Sequence, residues 1–466
     1  MPVPASVKQL LDNQKIEYGV AALPVDTLTN QIWHDQHLRN TGAAKSQILQ
    51  DSEGRVQVVI PANGMLDLAA VNRVLKRDLR ATSNNELRKF YEKHQLDSIP
   101  ALPRLAGLPT LVDQRLLEPE SLLLDSGTAD QLLQMKQEDF RQTLNDVNLC
   151  DITIPLSQLE IEDNTTNDEE QIIGAVRDFT NLRIKQRLEE TLELPPLPET
   201  AQRIIKLRVD PNADISDLAN IVETDPSLAA QVVSWAASPY YSAPGKIKSI
   251  HDAIVRVLGF DMVLNLALGL ALGKTLSMPK DDPNGSTPYW KMAVYTAATV
   301  EGLVTAIPRD HRPGFGMAYL SGLLHNFGYL VMSEVFPPHF SQICRYMEAN
   351  PHVHYQAIER HLLNITREQL SSWLMELWNM PEEVVVALRQ QGNEGYEGEY
   401  AAYSKLIFVA QRLLRQRGIG IGPKLEVPAH IYEELHLDPE KAYATLDNIM
   451  ESSEELDNIA AQLAPA

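Results

Sequence analysis

Ile247-Lys248-Ser249-Ile250-His251-Asp252-Ala253-Ile254-Val255-Arg256-Val257-Leu258-Gly259, running on into Phe260-Asp261-Met262-Val263-Leu264-Asn265-Leu266-Ala267-Leu268-Gly269-Leu270-Ala271-Leu272-Gly273, is the stretch that decides the fold of the larger part of the chain. Val257 to Gly273 is the most apolar segment of the sequence, yet it contains Asp261 and Asn265 and falls short of the roughly 20 apolar residues of a membrane span. It reads as a helix buried inside a helical domain. Upstream, Asp214-Ile215-Ser216-Asp217 offers helix caps, and Thr224-Asp225-Pro226 places a capping residue and a first-turn proline ahead of a helix over Ser227 to Ala237. Leu194-Pro195-Pro196-Leu197-Pro198 fixes an extended entry before a helix beginning near Glu199. The pattern is helical from Gln171 almost to the end, nothing between residues 190 and 400 resembles a tight hairpin, and Pro439 to Ala466 reads as one or two polar-faced helices.

The first 150 residues differ. Ala5 to Gln14 reads as a short amphipathic helix, whereas Arg55 to Ile60 is β-branched and strand-like before a turn at Pro61-Ala62-Asn63-Gly64. Helical spacing returns at Leu66 to Lys76 and Asn84 to His94, and short strands follow at Leu108 to Asp113 and Ser121 to Leu124. This is an α/β domain. Between Glu160 and Glu170 six of eleven residues are acidic and none is basic, which marks a solvated boundary. The reading is therefore multidomain: an α/β unit over 1–152, an acidic linker and connecting helix over 153–190, an all-α domain over 191–400, and a helical extension over 401–466.

The 466 residues exceed what one core usually organises, and 44% hydrophobic with 22% charged side chains is the composition of a folding chain. Sixty-two acidic against 41 basic residues give a formal charge of −21, a field that repels phosphate backbones and anionic lipid. Nucleic acid and membrane are disfavoured as bulk partners. Cys150 and Cys344 are too few for a disulfide framework or a zinc cluster and read as reduced core thiols. The first residues lack the basic flank and apolar run of a secretory signal, so a cytoplasmic location is expected.

The proline-rich entry at 194–198, Ile221-Val222-Glu223-Thr224-Asp225-Pro226-Ser227-Leu228, the stretch Ile247 to Gly259, Gly322-Leu323-Leu324-His325-Asn326-Phe327-Gly328 and Trp378-Asn379-Met380-Pro381 together resemble the HDOD domain of bacterial signalling proteins, in the right order over about 200 residues. That resemblance implies an all-α, HD-like fold. The HD superfamily holds metal ions with histidines and aspartates, and the metal lowers the pKa of a bound water for phosphate-ester hydrolysis. By the resemblance, His325 stands at the first half of the HD doublet and Asn326 at the aspartate. Met292, Arg367 and the pair Gln390-Gln391 stand at positions where equipped relatives have histidines. A thioether, a guanidinium and amides cannot assemble a hard-metal cage, so no metal and no cofactor is expected. His251-Asp252 is a literal HD dipeptide but lies where the family keeps no metal site, and it reads as a pair at a helix start. His352, His354 and His361 near Glu359 read as a surface loop followed by a helix. His325 lies in an apolar helix over Leu320 to Val331 and reads as a buried histidine hydrogen-bonded to a neighbour.

The N-terminal part resembles the aminoacyl-tRNA editing domains of the YbaK/ProX type. The resemblance rests on Ala43-Ala44-Lys45-Ser46 before a strand, Val56 to Pro61, Leu79-Arg80-Ala81-Thr82 and Gly107-Leu108-Pro109-Thr110-Leu111-Val112-Asp113. It implies a catalytic role for Lys45, the alternative being an ordinary exposed lysine. The segment matching the family's glycine-bearing loop, Leu96-Asp97-Ser98-Ile99-Pro100, has no glycine, which puts the close backbone approach in doubt.

Three functions stay open. The first is a regulatory pseudoenzyme in signal transduction, binding signalling proteins or a small ligand. The second is aminoacyl-tRNA deacylation by the N-terminal domain, with tRNA as the one nucleic acid to consider. The third is a divergent metal-dependent phosphohydrolase.

Overall fold

The computed structural model describes residues 3–22, 42–104, 107–128, 130–145, 147–159, 167–179, 197–242 and 245–464. Most of the acidic run, and Leu194 to Pro196 of the proline-rich entry, lie outside the described residues.

The N-terminal part is an α/β unit built on a mixed sheet. Its strands are β1 (Gly19–Ala22), β2 (Ala43–Asp51), β3 (Gly54–Pro61), β4 (Gly64–Leu66), β5 (Arg80–Ala81), β6 (Thr110–Asp113), β7 (Ser121–Asp125), β8 (Gln131–Lys136), β9 (Asn148–Cys150) and β10 (Thr153–Pro155). The main sheet runs β1-β8-β7-β2-β3-β6-β9 with β5 beside β2, and β4 pairs with β10 separately. β2 and β3 form the antiparallel hairpin at its centre, Lys45 facing Ile60, while β2 with β7, β3 with β6 and β6 with β9 run parallel. The helix Leu68–Leu75 starts where Asp67 accepts from the N–H groups of Ala69 and Ala70, as a short acidic cap does.

The remainder is helical among the described residues. The capping signals act where the sequence puts them. Asp214 and Asp217 form a reciprocal capping box ahead of Ile215–Glu223, and Asp225 accepts from Ser227 and Leu228 N–H ahead of Pro226–Ala236. The long apolar segment is broken: Gly259 takes φ +80°, so Ile254–Leu258 forms a separate wide turn and the buried helix is Phe260–Gly273. Every residue from Met262 to Gly273 is buried, the pattern of a helix with protein on all sides. No helix among the described residues is long and apolar enough to cross a membrane. His251-Asp252 opens a short helix capped by Ser249, with Asp252 paired to Arg256 and His251 exposed.

The two parts share one core. Apolar residues of β3 and β4, among them Val58, Ile60 and Leu66, pack in the same cluster as the helical region. Asn350 clasps both backbone groups of Leu66: its Oδ1 accepts from Leu66 N–H at 2.6 Å and its Nδ2 donates to Leu66 O at 3.1 Å. His352 Nε2 lies 3.0 Å from Gly64 O, and the Tyr346 hydroxyl donates to Asp67 at 2.7 Å. His352 is only 1% exposed. The expectation of a surface loop at His352 is thus corrected, because the loop is covered by β4. Helix Asp168–Phe179 adds a further tie, with Gln369 Nε2 donating to Asp168 and Gln171, and Arg389 paired to Asp168.

Candidate functional site

The segment Gly322 to Gly328 is not one helix. Phe315–Leu324 ends at Leu324, Asn326 adopts φ −105°, ψ 17°, and a new helix runs Phe327–Val335. This corrects the expected continuous helix over Leu320 to Val331, since both halves are apolar and the break leaves no compositional mark. The break sets the His325 and Asn326 side chains on the wall of a cavity. Gly328 is required by packing: a Cβ there would lie 1.9 Å from Arg367 O, so the helix rests directly on the first turn of Arg367–Leu377. Its N–H donates to Ser371 Oγ at 2.9 Å.

His325 is buried, with Nδ1 2.8 Å from Gly322 O. Burial pushes its imidazole down to about 4, the contact with Gly322 opposing and Arg415 and Arg367 reinforcing the shift. The ring is therefore neutral near pH 7, and the carbonyl contact fixes the proton on Nδ1. Arg367 is the centre of the site. Its Nε donates to Glu359 Oε1 at 2.6 Å, its backbone N–H to Glu359 Oε2 at 3.0 Å, and its Nη1 to Asn326 Oδ1 at 2.9 Å. The guanidinium lies 4.0 Å from the Tyr355 ring centroid and 4.8 Å from that of Tyr329. Glu359 is fully buried; burial pushes its carboxyl up, while Arg367 pulls against the shift.

Of the positions singled out in the sequence, Met292, His325, Asn326 and Arg367 line one cavity of about 40 Å³. Gln391 stands behind it, donating to His325 O at 2.7 Å and accepting from Gln411 Nε2 at 2.7 Å. Gln390 is not on the wall, and its Oε1 accepts from Asn393 instead. Sequence reasoning noted Glu359 only beside a histidine cluster read as a surface loop and helix, and it missed Tyr355, Gln411 and Arg415. Glu359 and Arg367 are eight residues apart on successive helices, and Arg415 comes from Ala401–Gln416, a helix the sequence reading set apart as an extension.

The donor set does not fit a metal. Asn326 Oδ1 already accepts from Arg367, two guanidinium groups face the cavity, and no carboxylate lies on its wall. No group of three or more His, Cys, Asp or Glu able to hold a metal occurs among the described residues.

In the N-terminal unit Lys45 lies within β2 rather than before a strand, and it is only 8% exposed. The reading as an ordinary exposed lysine is corrected: β2 is central, with β3 on one side and β7 and β5 on the other. Burial pushes the Lys45 ammonium down to about 7, with Asp125 pulling it back up. Burial raises the Asp125 carboxyl to about 6, opposed by the Ser98 hydroxyl at 2.6 Å, the Gly127 N–H at 2.8 Å and Lys45. The loop over 96–100 is tied down from both sides. Asp97 N–H donates to Gly127 O, and Pro100 O accepts from Ser46 Oγ and Gln57 Nε2. At Gly127 a side chain would meet Pro100 Cγ at 2.7 Å, so this glycine lets the loop pack against the turn after β7.

Two family models match the chain, the HDOD domain over residues 194–394 and the aminoacyl-tRNA editing domain over 32–143. A crystal structure of a protein from Marinobacter aquaeolei VT8, proposed to act in signal transduction, is 43% identical, with a TM-score of 0.89, over 99% of this chain and 100% of that one. An HDOD domain protein of unknown function from Geobacter sulfurreducens is 22% identical, with a TM-score of 0.46, over 63% of this chain and 98% of its own. A protein from Treponema pallidum (strain Nichols) is 21% identical over 269 residues, 58% of this chain and 51% of that protein. The chain thus spans about half the length of this curated relative.

Proposed function

Because the chain belongs to the HDOD family, with an aminoacyl-tRNA editing domain ahead of the HDOD domain, we propose that it is a regulatory protein of signal transduction whose HDOD region binds and does not hydrolyse. The observation that carries this reading is the Arg367 guanidinium. It lies on the wall of the cavity, donates to the Asn326 amide oxygen and is backed by buried Glu359. A hydrolytic site of the HD kind needs lone pairs directed at a dication; here one potential donor is consumed by a cation, and the local field opposes a second one. The occupant of the module is a signalling protein or a small ligand. Its regulatory output is open to influence from the N-terminal unit through Asn350 and His352.

Elemental analysis of protein purified without chelators, run beside turnover of a generic phosphodiester, tests the reading. No stoichiometric transition metal and no turnover are expected. A stoichiometric metal lost on His325→Ala, together with turnover, would sink it.

A second reading is favoured by one observation in the N-terminal unit. Lys45, buried beside Asp125 with an ammonium near neutrality, is suited to orient an aminoacyl ester or stabilise charge on its oxygen during hydrolysis. The net charge of −21 opposes tRNA as a partner and confines any such binding to a local site. Release of amino acid from mischarged tRNA that is lost in Lys45→Ala would establish this activity, and its absence would leave the editing domain as scaffold.

A further inference from the structure

The cavity at His325 and Asn326 has a chemistry of its own. About 40 Å³ is room for roughly three water positions, close to one tetrahedral oxyanion. Arg367 and Arg415 both line it, and its wall carries no carboxylate. Glu359 holds Arg367 from outside the cavity. Arg415 is 6% exposed and donates from Nη2 to Gln411 Oε1 at 2.8 Å. A guanidinium on a cavity wall offers an anion charge-assisted hydrogen bonds. Thr287 Oγ, also on the wall, accepts from Gly420 N–H at 2.8 Å and keeps its own proton to donate.

Arg415 and Gln411 separate this cavity from a groove of about 750 Å³, the size range of small-molecule sites. Phe408, Leu425, Leu156 and Leu159 give the groove apolar surface, and Arg412 lines it paired with Glu394 at 3.4 Å. We infer that the cavity and the groove form one binding site for a small phosphate monoester, its phosphate between Arg367 and Arg415 and its body against Phe408 and the 156–159 segment. This rests on the reading of the HDOD region as a binding module, since the ester must leave unchanged. Leu156 and Leu159 directly follow β10, which pairs with β4 of the N-terminal unit, so a ligand here touches both parts of the chain.

The test is titration calorimetry of the full chain with inorganic phosphate and with adenosine monophosphate, followed by chromatography of the nucleotide. Both probes bind, and the nucleotide is recovered intact. Arg415→Met weakens both by about 10- to 150-fold, the range for losing hydrogen bonds to a charged group, and Arg415→Lys weakens them less. Phe408→Ala weakens the nucleotide and leaves phosphate unchanged. Circular dichroism confirms that each variant folds. No binding of either probe at 10-millimolar scale, or equal binding by Arg415→Met, overturns the anion site while the binding-module reading stands. Conversion of the nucleotide to adenosine and phosphate overturns that reading instead.

Discussion

Replacing Glu359 by Met leaves the Arg367 guanidinium buried with one neutral acceptor, Asn326 Oδ1 at 2.9 Å, two aromatic faces and the field of buried Glu368. Both residues are at least 95% buried in the wild type, at 0% and 5% exposure, so water cannot replace the lost carboxylate without opening the helix packing. Removing one member of such a pair costs about 3–5 kcal/mol, whereas removing both and filling the space with apolar side chains is roughly neutral. The double variant Glu359→Met with Arg367→Met should therefore be more stable than Glu359→Met alone by several kcal/mol. Urea unfolding followed by tryptophan fluorescence reads this well, since four of the five tryptophans (Trp235, Trp290, Trp373 and Trp378) lie in the helical region. A coupling energy below about 1 kcal/mol, the range of an exposed pair, would refute the claim that this ion pair organises the site.

Burial holds His325 down to about 4, so between the unfolded value near 6.5 and 4 the unfolded chain binds a proton that the folded chain refuses. Stability should fall as pH drops through that window, by up to about 3 kcal/mol, and His325→Gln should flatten this part of the profile; an imidazole resonance titrating near 6.5 would contradict it. Lys45 works at the other end: with its ammonium lowered to about 7, the unfolded state holds more protons between 7 and 10.5, so stability rises with pH there. Lys45→Met should remove that rise, and an unchanged profile would mean that the side chain is solvated. Gly328→Ala forces a Cβ against Arg367 O and should cost about 3 kcal/mol or more by thermal unfolding; a loss below 1 kcal/mol would show that the two helices part freely. Asn350→Ala strands both backbone groups of Leu66 and should cost about 2–4 kcal/mol. Hydrogen exchange should then rise on both sides, in Gly64–Leu66 and around Val353, and a rise on one side alone would count against a shared core.

What the sequence made legible was local. Asp214, Asp225 and Pro226 act within one turn, so their signals survive without tertiary context. The breaks at Gly259 and at His325-Asn326 were illegible because apolar residues continue on both sides of each. The strand that holds Lys45 escaped for a related reason. β2 is buried on both faces along most of its length, which erases the alternation that would have marked it as a strand. The cavity positions Met292, His325, Asn326 and Arg367 were reached through family resemblance, and the structure gathers them around one space. The roles of Glu359 and Arg415 were beyond reach, since a glutamate on a mixed helix and an arginine at the end of an apolar one look solvated until their partners are known.

Those two residues decide how the degenerate site should be understood. Asn326 carries no charge and Arg367 a positive one, at positions that the HDOD resemblance equates with an aspartate and a histidine. An apolar filling of this space would be less costly than buried cations. The structure instead holds two buried guanidinium groups, with Glu359 paired to Arg367 from outside the cavity and the buried Glu368 carboxylate acting on both. Positive charge on the wall of a small cavity is what a metal ion presents to a phosphate, and two arginines present it with fixed hydrogen-bond directions and no activated water. On the proposed reading, binding a phosphorylated molecule without hydrolysing it follows from the same two side chains.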